Sequence, residues 1–157
     1  MRNLSELNIN EGGRPVPRPA PNQPVVAAFE SHFGLKLPSA YSALLQHANG
    51  GHPELDSFKP IGTPGAATWS VNRFYHLDDE RTSPSNLWST TENWQRILGK
   101  SALPFASDAG GNQFFLDLGA NPPTVKGCLH DERFRVVDLA PSFEAFIDNL
   151  EIDPDMI

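Results

Sequence analysis

The clearest pattern of apolar and polar positions lies in the middle of the chain. Residues 103–107 and 113–118 are two mainly apolar runs with the two-residue alternation of β-strands, and Asp-Ala-Gly-Gly-Asn (108–112) lies between them. Glycine and asparagine tolerate positive φ, so this cluster is suited to reversing the chain. The pattern predicts a β-hairpin with Gly110 or Gly111 at positive φ, in which Asp108 and Asn112 hydrogen-bond the backbone of the turn.

Helical spacing dominates the stretch before this hairpin. Residues 25–34 and 39–48 each place apolar side chains on one face, and Asn-Gly-Gly (49–51) ends the second segment. They predict two short helices joined by a tight turn, with their apolar faces packed on a sheet. The residues expected in that contact are Phe29, Phe33, Leu44 and Leu45. A middle helix is predicted from about Ser85 to Leu98, and a last helix beginning at Pro141-Ser142.

Further strands are predicted at residues 68–77, 124–129 and 134–139, where β-branched and aromatic residues alternate with polar ones. Helices come first, strands follow and a helix closes the chain. This order predicts an α+β fold whose sheet is largely antiparallel and is covered by an N-terminal helical hairpin, a middle helix and a C-terminal helix.

Two regions are distinguished by composition. Residues 1–24 are predicted to form an N-terminal arm and a proline-rich linker, because five prolines fall between residues 15 and 24. Residues 25–157 are predicted to form one domain. No apolar run approaches the roughly 20 residues that span a bilayer, and the start of the chain lacks a signal-peptide pattern. We therefore expect a cytoplasmic protein with no membrane partner.

Charge is concentrated at one end of the chain. The net charge is −7, and residues 131–157 contribute −6 of it. Because an acidic surface repels phosphate backbones and attracts basic partners, direct nucleic-acid binding is not expected. A basic protein partner would fit this charge, although acidic ends also serve only to keep a domain soluble.

Residues that could carry catalysis are few. The chain lacks nucleophile-elbow, zincin, C-x-x-C and phosphate-loop motifs, so no cofactor or metal is expected. The remaining candidates are His130 and Glu132, which would share one face of a strand while Asp131 points away. A solvated histidine at a strand end is the favoured interpretation, and a site around His130 and Glu132 is the enzymatic alternative.

Three segments resemble one known family. Residues 26–51 form two helices around a Leu-Pro turn and end in Asn-Gly-Gly, the hairpin of residues 103–118 follows, and Ser-Phe-Glu-Ala-Phe-Ile closes the pattern at 142–147. In type and order these segments are similar to the SUKH superfamily, the domain of bacterial toxin-immunity proteins and of a yeast regulator of cell-wall synthesis.

The resemblance implies binding rather than catalysis. Bacterial members of the superfamily mostly neutralise toxins, often nucleases or deaminases, so the expected partner is a basic toxin domain. A regulatory interaction module without a toxin partner is the alternative. The acids expected to contact the partner are those at strand-to-loop junctions, namely Asp78, Asp79, Glu80, Asp131 and Glu132.

Overall fold

The computed structural model describes residues 1–10 and 18–156 of the chain. Its helices are α1 (Gln23–Phe33), α2 (Ser39–His47), α3 (Leu87–Leu98) and α4 (Phe143–Asp148). Its strands are β1 (Ser57–Phe58), β2 (Trp69–Ser70), β3 (Arg73–Phe74), β4 (Ala102–Ser107), β5 (Gln113–Asp117), β6 (Thr124–Leu129) and β7 (Arg135–Ala140). Short 3-10 helices lie at Leu4–Leu7 and Pro154–Met156.

The strands form two sheets. The strands β3-β4-β5-β6-β7 lie side by side in this order, and every neighbouring pair is antiparallel. A separate small sheet consists of β1 paired with β2. The predicted α+β class, with an antiparallel sheet and helices in N-terminal, middle and C-terminal positions, is confirmed.

Side-chain caps explain where three of the helices begin. The Asn22 side chain accepts a hydrogen bond from the backbone N–H of Val25, and Asn86 and Ser142 cap α3 and α4 in the same way. Each cap satisfies a backbone donor that has no partner inside the helix. At the other end of α1, Gly34 adopts the left-handed conformation with φ of 63°.

The predicted hairpin is formed by β4 and β5. Asp108 Oδ1 accepts hydrogen bonds from the backbone N–H groups of Gly110 and Asn112 at 2.9 and 2.8 Å. Gly111 adopts the positive φ, at 93°. Both features were expected from the sequence, and they fix the connection between two central strands.

The single strand predicted at residues 68–77 is wrong. This stretch divides into β2 and β3, which belong to different sheets. The backbone N–H of Val71 donates to Asp56 next to the small sheet, whereas that of Asn72 donates to Ser107 in the large one. The change of pairing partner between these two neighbours ends one strand and begins the next.

The two faces of the large sheet are covered differently. Phe114 and Leu116 of β5 pack into the large core together with α1, α2 and α4, while Phe115 between them joins Trp94 and Leu98 of α3 on the opposite face. The helical hairpin was predicted to pack on the sheet, and its predicted contact residues belong to this shared core. Its contact residues Phe29, Leu44 and Leu45 are buried, and Phe33 is partly buried against the same core.

The N-terminal residues lie against this core. Leu7 is fully buried, and the Arg2 guanidinium donates to the backbone oxygens of Ile147, within α4, and Leu150, beyond its end. The predicted proline-rich linker is described only from residue 18, and residues 11–17 lie outside the described part. Within the described part, the Asn49 side chain donates to the carbonyl oxygen of Pro19 at 2.8 Å.

Candidate partner-binding surface

The first group of predicted contact residues lies between β3 and α3. The Asp78 carboxylate accepts hydrogen bonds from the Arg18 guanidinium at 2.7 Å and from the Asn86 side-chain amide at 2.8 Å. Glu80 is mostly exposed and lies 3.7 Å from Arg18. Within the described residues, Asp79 makes no side-chain hydrogen bond or ion pair. Asp78 therefore stabilises the loop, and Asp79 is the member whose carboxylate is available to a partner.

The second group lies in the turn between β6 and β7. Glu132 accepts a hydrogen bond from Arg135 at 2.9 Å, whereas Asp131 is exposed and makes no ion pair among the described residues. Arg133 also lies in this turn. The side-chain charges of residues 131–135 therefore sum to zero, and the turn offers an oriented arrangement of charges rather than a negative patch.

The structure does not bring the two groups together. Asp78 follows β3 at one edge of the large sheet, whereas Asp131 follows β6 next to the opposite edge. Two strands separate β3 from β6, which at the usual spacing corresponds to roughly 14 Å or more. A single small interface therefore cannot contain both groups of acidic residues.

The β6–β7 turn has a backbone conformation that bulky residues rarely adopt. Arg133 and Phe134 have φ values of 57° and 58°, and the backbone N–H of Arg135 donates to Glu132 across them. This is the geometry of a type I′ turn, which asparagine and glycine normally occupy. For other residues the left-handed conformation costs about 1–2 kcal/mol each. Strain of this kind is typical of functional sites.

This strain presents an aromatic ring at the surface. Phe134 is 43% exposed, and its ring lies edge-on to that of Trp94 in α3, with 6.0 Å between the centroids. Ile97, one helical turn further along α3, and Val136 in β7 are also exposed. We call these four residues, Trp94, Ile97, Phe134 and Val136, the apolar patch.

Sequence reasoning missed the apolar patch. Residues 134–139 were predicted as a strand, but β7 begins one residue later and Phe134 belongs to the turn. A phenylalanine is typical of strands, and nothing in Arg-Phe indicates a type I′ turn. The signal that was available is the pair Val136-Val137 in β7, because two consecutive apolar residues place one valine on each face of the strand.

The expectation that His130 and Glu132 share one face of a strand is wrong. The strand ends at Leu129, and both residues lie in the turn. His130 Nε2 lies 2.6 Å from the carbonyl oxygen of Gly110, so this nitrogen carries the proton and donates it. The backbone N–H of His130 donates to Asn112 Oδ1 at 3.1 Å. His130 thus connects the β6–β7 turn to the β4–β5 turn.

The acidic end of the chain is largely unpaired. Of the eight acidic side chains in residues 131–157, Glu132 alone makes an ion pair with a basic side chain of the described residues. Asp148 accepts a hydrogen bond from the backbone N–H of Arg2. The negative field of the protein therefore persists in the folded state and favours basic partners at a distance.

Groups suited to metal binding are not found in residues 1–10 and 18–156, where no three His, Cys, Asp or Glu side chains lie together. None of the helices in the part of the chain described is long and apolar enough to cross a membrane. Cys128 is buried on the α3 side of the sheet, and burial raises the pKa of its thiol.

These features define a class of protein. The fold is an α+β domain with one antiparallel sheet, and its most distinctive surface is a strained turn that presents an aromatic ring beside charged residues. The family model for SMI1 / KNR4 (SUKH-1) matches residues 21–149. The chain therefore belongs to the SMI1 / KNR4 family (SUKH-1), a family of immunity and regulatory domains. A search of curated proteins finds no match.

Proposed function

We propose that this protein is a cytoplasmic immunity protein that binds and neutralises a basic toxin domain acting on nucleic acid. Membership of the SMI1 / KNR4 family supports an immunity or regulatory role. The observation that most favours a binding role is the β6–β7 turn, where a strained backbone holds Phe134 half-exposed. A protein that acts by binding has a use for such a residue, whereas the fold alone does not require it.

Electrostatics supports a basic partner. The net charge is −7, and most of the acids near the C-terminus have no basic partner among the described residues. A nuclease or deaminase toxin must itself attract phosphates and is therefore cationic around its substrate site. Opposite charges accelerate the encounter of two such proteins, and the same negative charge disfavours nucleic acid as a direct partner.

The apolar patch supports a contact that lasts after the encounter. Aromatic residues that become buried at the centre of an interface contribute most to its stability, and charged residues around them contribute mainly to orientation. Phe134 is placed to be such an anchor, with Asp131 beside it. Asp79 lies near the opposite edge of the sheet, where it would act on the rate of association rather than on the final contact.

Co-expression with the toxic domain encoded by the adjacent gene tests this proposal. We expect cells that make both proteins to survive and cells that make the toxin alone to die. If cells die equally fast with and without this protein, immunity against that toxin is refuted. Recovery of a protein complex without any toxic neighbour would instead favour the regulatory module.

Charge-neutralising variants test the role of the predicted acids. The double variant Asp79→Asn/Asp131→Asn removes two unpaired carboxylates without touching the hydrogen bonds of Asp78 or Glu132. It should slow association and flatten its salt dependence while leaving the melting temperature nearly unchanged. The matched control Asp153→Asn/Asp155→Asn changes the net charge equally at the end of the chain. Equal effects of both variants would show that total charge, and not these two positions, determines the rate.

Truncation of the anchor tests the apolar patch. Phe134→Ala should weaken toxin binding about tenfold or more, mainly through faster dissociation. Ile61→Ala, which removes an exposed apolar side chain elsewhere, is the control. An unchanged dissociation rate for Phe134→Ala would remove Phe134 from the interface.

A further inference from the structure

A cleft with a volume of about 450 Å³ lies at the corner where α2 ends and β3 begins. Its size is within the range of sites for small molecules. It lies at the β3 edge of the sheet, away from the apolar patch at the β6–β7 turn. The residues that line it and matter for its chemistry are Asn10, Arg18, Gly50, Arg73, His76 and Ser85.

The Asn-Gly-Gly segment after α2 builds this corner. The buried Asn49 side chain accepts a hydrogen bond from the backbone N–H of Leu77 and donates to the Leu77 carbonyl oxygen, at 2.8 and 2.9 Å. Gly50 has φ of 84°, and a Cβ atom there would lie 2.8 Å from the Cβ of His76. Gly51 has φ of 126°, and a Cβ atom there would collide with Asn10. The two glycines thus allow close packing that defines the wall of the cleft.

Among the described residues, the charged side chains that line the cleft are basic. Arg18 and Arg73 both line it, and no Asp or Glu of the described part does. Asp78 binds Arg18 through one nitrogen, Nη1, and Glu80 approaches the same nitrogen. Arg73 makes no ion pair within the described residues, and its Nη1 donates to Ser85 at 2.6 Å. Among the described residues, most N–H groups of both guanidiniums have no hydrogen-bond partner, on a protein whose net charge is −7.

A buried histidine completes the lining. His76 is 5% exposed, and its Nε2 has no hydrogen-bond partner among the described residues. Asp78 Oδ2 lies 3.8 Å from this nitrogen, which is beyond hydrogen-bond distance. Burial lowers the pKa of His76, and Arg18 and Arg73 act in the same direction against the opposing effect of Asp78 and Glu80. The imidazole is therefore neutral near pH 7 and has one N–H to donate.

We propose that this cleft binds a small molecule through an oxyanion group, either a phosphate or a carboxylate. Guanidinium groups hold both kinds of oxyanion through paired N–H donors, and Arg73 Nε and Nη2 have no hydrogen-bond partner among the described residues. His76, which also lines the cleft, supplies a neutral N–H donor. Arg18 adds positive charge. This site is independent of toxin binding, so its presence or absence leaves the proposed immunity function untouched.

Backbone amide NMR of the wild-type chain tests the site directly. Sodium phosphate and sodium succinate are titrated separately at constant ionic strength adjusted with sodium chloride. We expect saturable shifts at Gly50, Gly51, Arg73 and His76. Shifts with phosphate alone identify a phosphate ligand, shifts with succinate alone identify a carboxylate ligand, and shifts with both support the shared oxyanion chemistry.

A matched pair of variants tests the assigned ligand residue. Arg73→Gln should weaken binding about tenfold or more, since an arginine–oxyanion hydrogen bond is charge-assisted. Arg96→Gln removes the same charge from the exposed face of α3 and should leave the dissociation constant within about twofold.

Three results would overturn the proposal. They are shifts that do not saturate with either anion, saturable shifts confined to residues outside the cleft, and equal affinities of Arg73→Gln and the wild type. If Arg73→Gln fails to fold, as judged by circular dichroism, the location and saturation of the wild-type shifts decide the outcome alone.

Discussion

Replacing Phe29 with alanine should destabilise the fold more than any change at an exposed aromatic residue. Phe29 is fully buried where α1 meets α3, and its ring lies 4.8 Å from that of Phe33 and 5.6 Å from that of Trp88. Truncation of a fully buried phenylalanine costs about 3–5 kcal/mol, because apolar contacts are lost and a cavity remains. The two aromatic contacts are geometric reasons to expect the upper part of this range.

The size of this effect can be compared with the stability of a whole domain. Domains are typically stable by about 5–15 kcal/mol, so the variant would lose a third or more of that free energy in most cases. For a chain of this length each kcal/mol corresponds to about 2–4 °C, which predicts a fall in melting temperature of about 6–20 °C.

Urea denaturation followed by circular dichroism measures the loss of free energy. The midpoint should fall while the slope of the transition is unchanged, because the surface exposed on unfolding is nearly the same. Phe134→Ala is the control, since its ring is half-exposed, and its stability should change by about 1 kcal/mol or less. A Phe29→Ala protein with the wild-type midpoint would refute the argument that this helical hairpin is held to the core through Phe29.

Two further predictions concern the β4–β5 turn and the buried histidine. Gly111→Val should cost about 1–3 kcal/mol because φ is 93°, whereas Gly110→Val, at a position without positive φ, should cost less; equal midpoints in urea would contradict this. The pKa of His76 is lowered from 6.5 in the folded state, so the unfolded state binds more protons and stability falls as pH drops below about 6.5. His76→Gln should therefore lose less stability than the wild type between pH 7 and pH 5, measured by urea midpoints, and the exposed His47→Gln should behave like the wild type.

Local patterns were sufficient for the elements whose partners are close in sequence. The β4–β5 hairpin has strong turn chemistry in Asp108 and Gly111, and β6 was predicted with its observed limits, Thr124–Leu129. Helix caps and apolar spacing located α1 and α3 within about two residues. In all these cases the residues that determine the structure lie within the element or next to it.

Elements that depend on distant partners were not predicted. Residues 69–74 keep a strand-like pattern throughout, but their partners are Ser57–Phe58 for β2 and residues 106–107 for β3. Nothing between Ser70 and Arg73 marks the change of sheet. Phe134 is a similar case, because its left-handed conformation is imposed by the pairing of β6 with β7 rather than favoured by its own side chain.

The acidic residues predicted to contact a partner fall into two kinds in the structure: those that hold the fold together and those that are free of such contacts. Asp78 holds Arg18 and the cap residue Asn86, so its loss would disturb the start of α3 and one wall of the cleft before it affected a partner. Asp131 has no such contact. It lies in the same turn as Phe134, near the edge of the sheet opposite to Asp78. Because the sheet between them is a packed, stiff element, a partner docked on the apolar patch would leave the cleft open. The proposed anion binding at Arg73 and the proposed toxin binding at Phe134 should therefore be additive, and the dissociation constant for phosphate should be the same in the free protein and in a complex with the toxin domain.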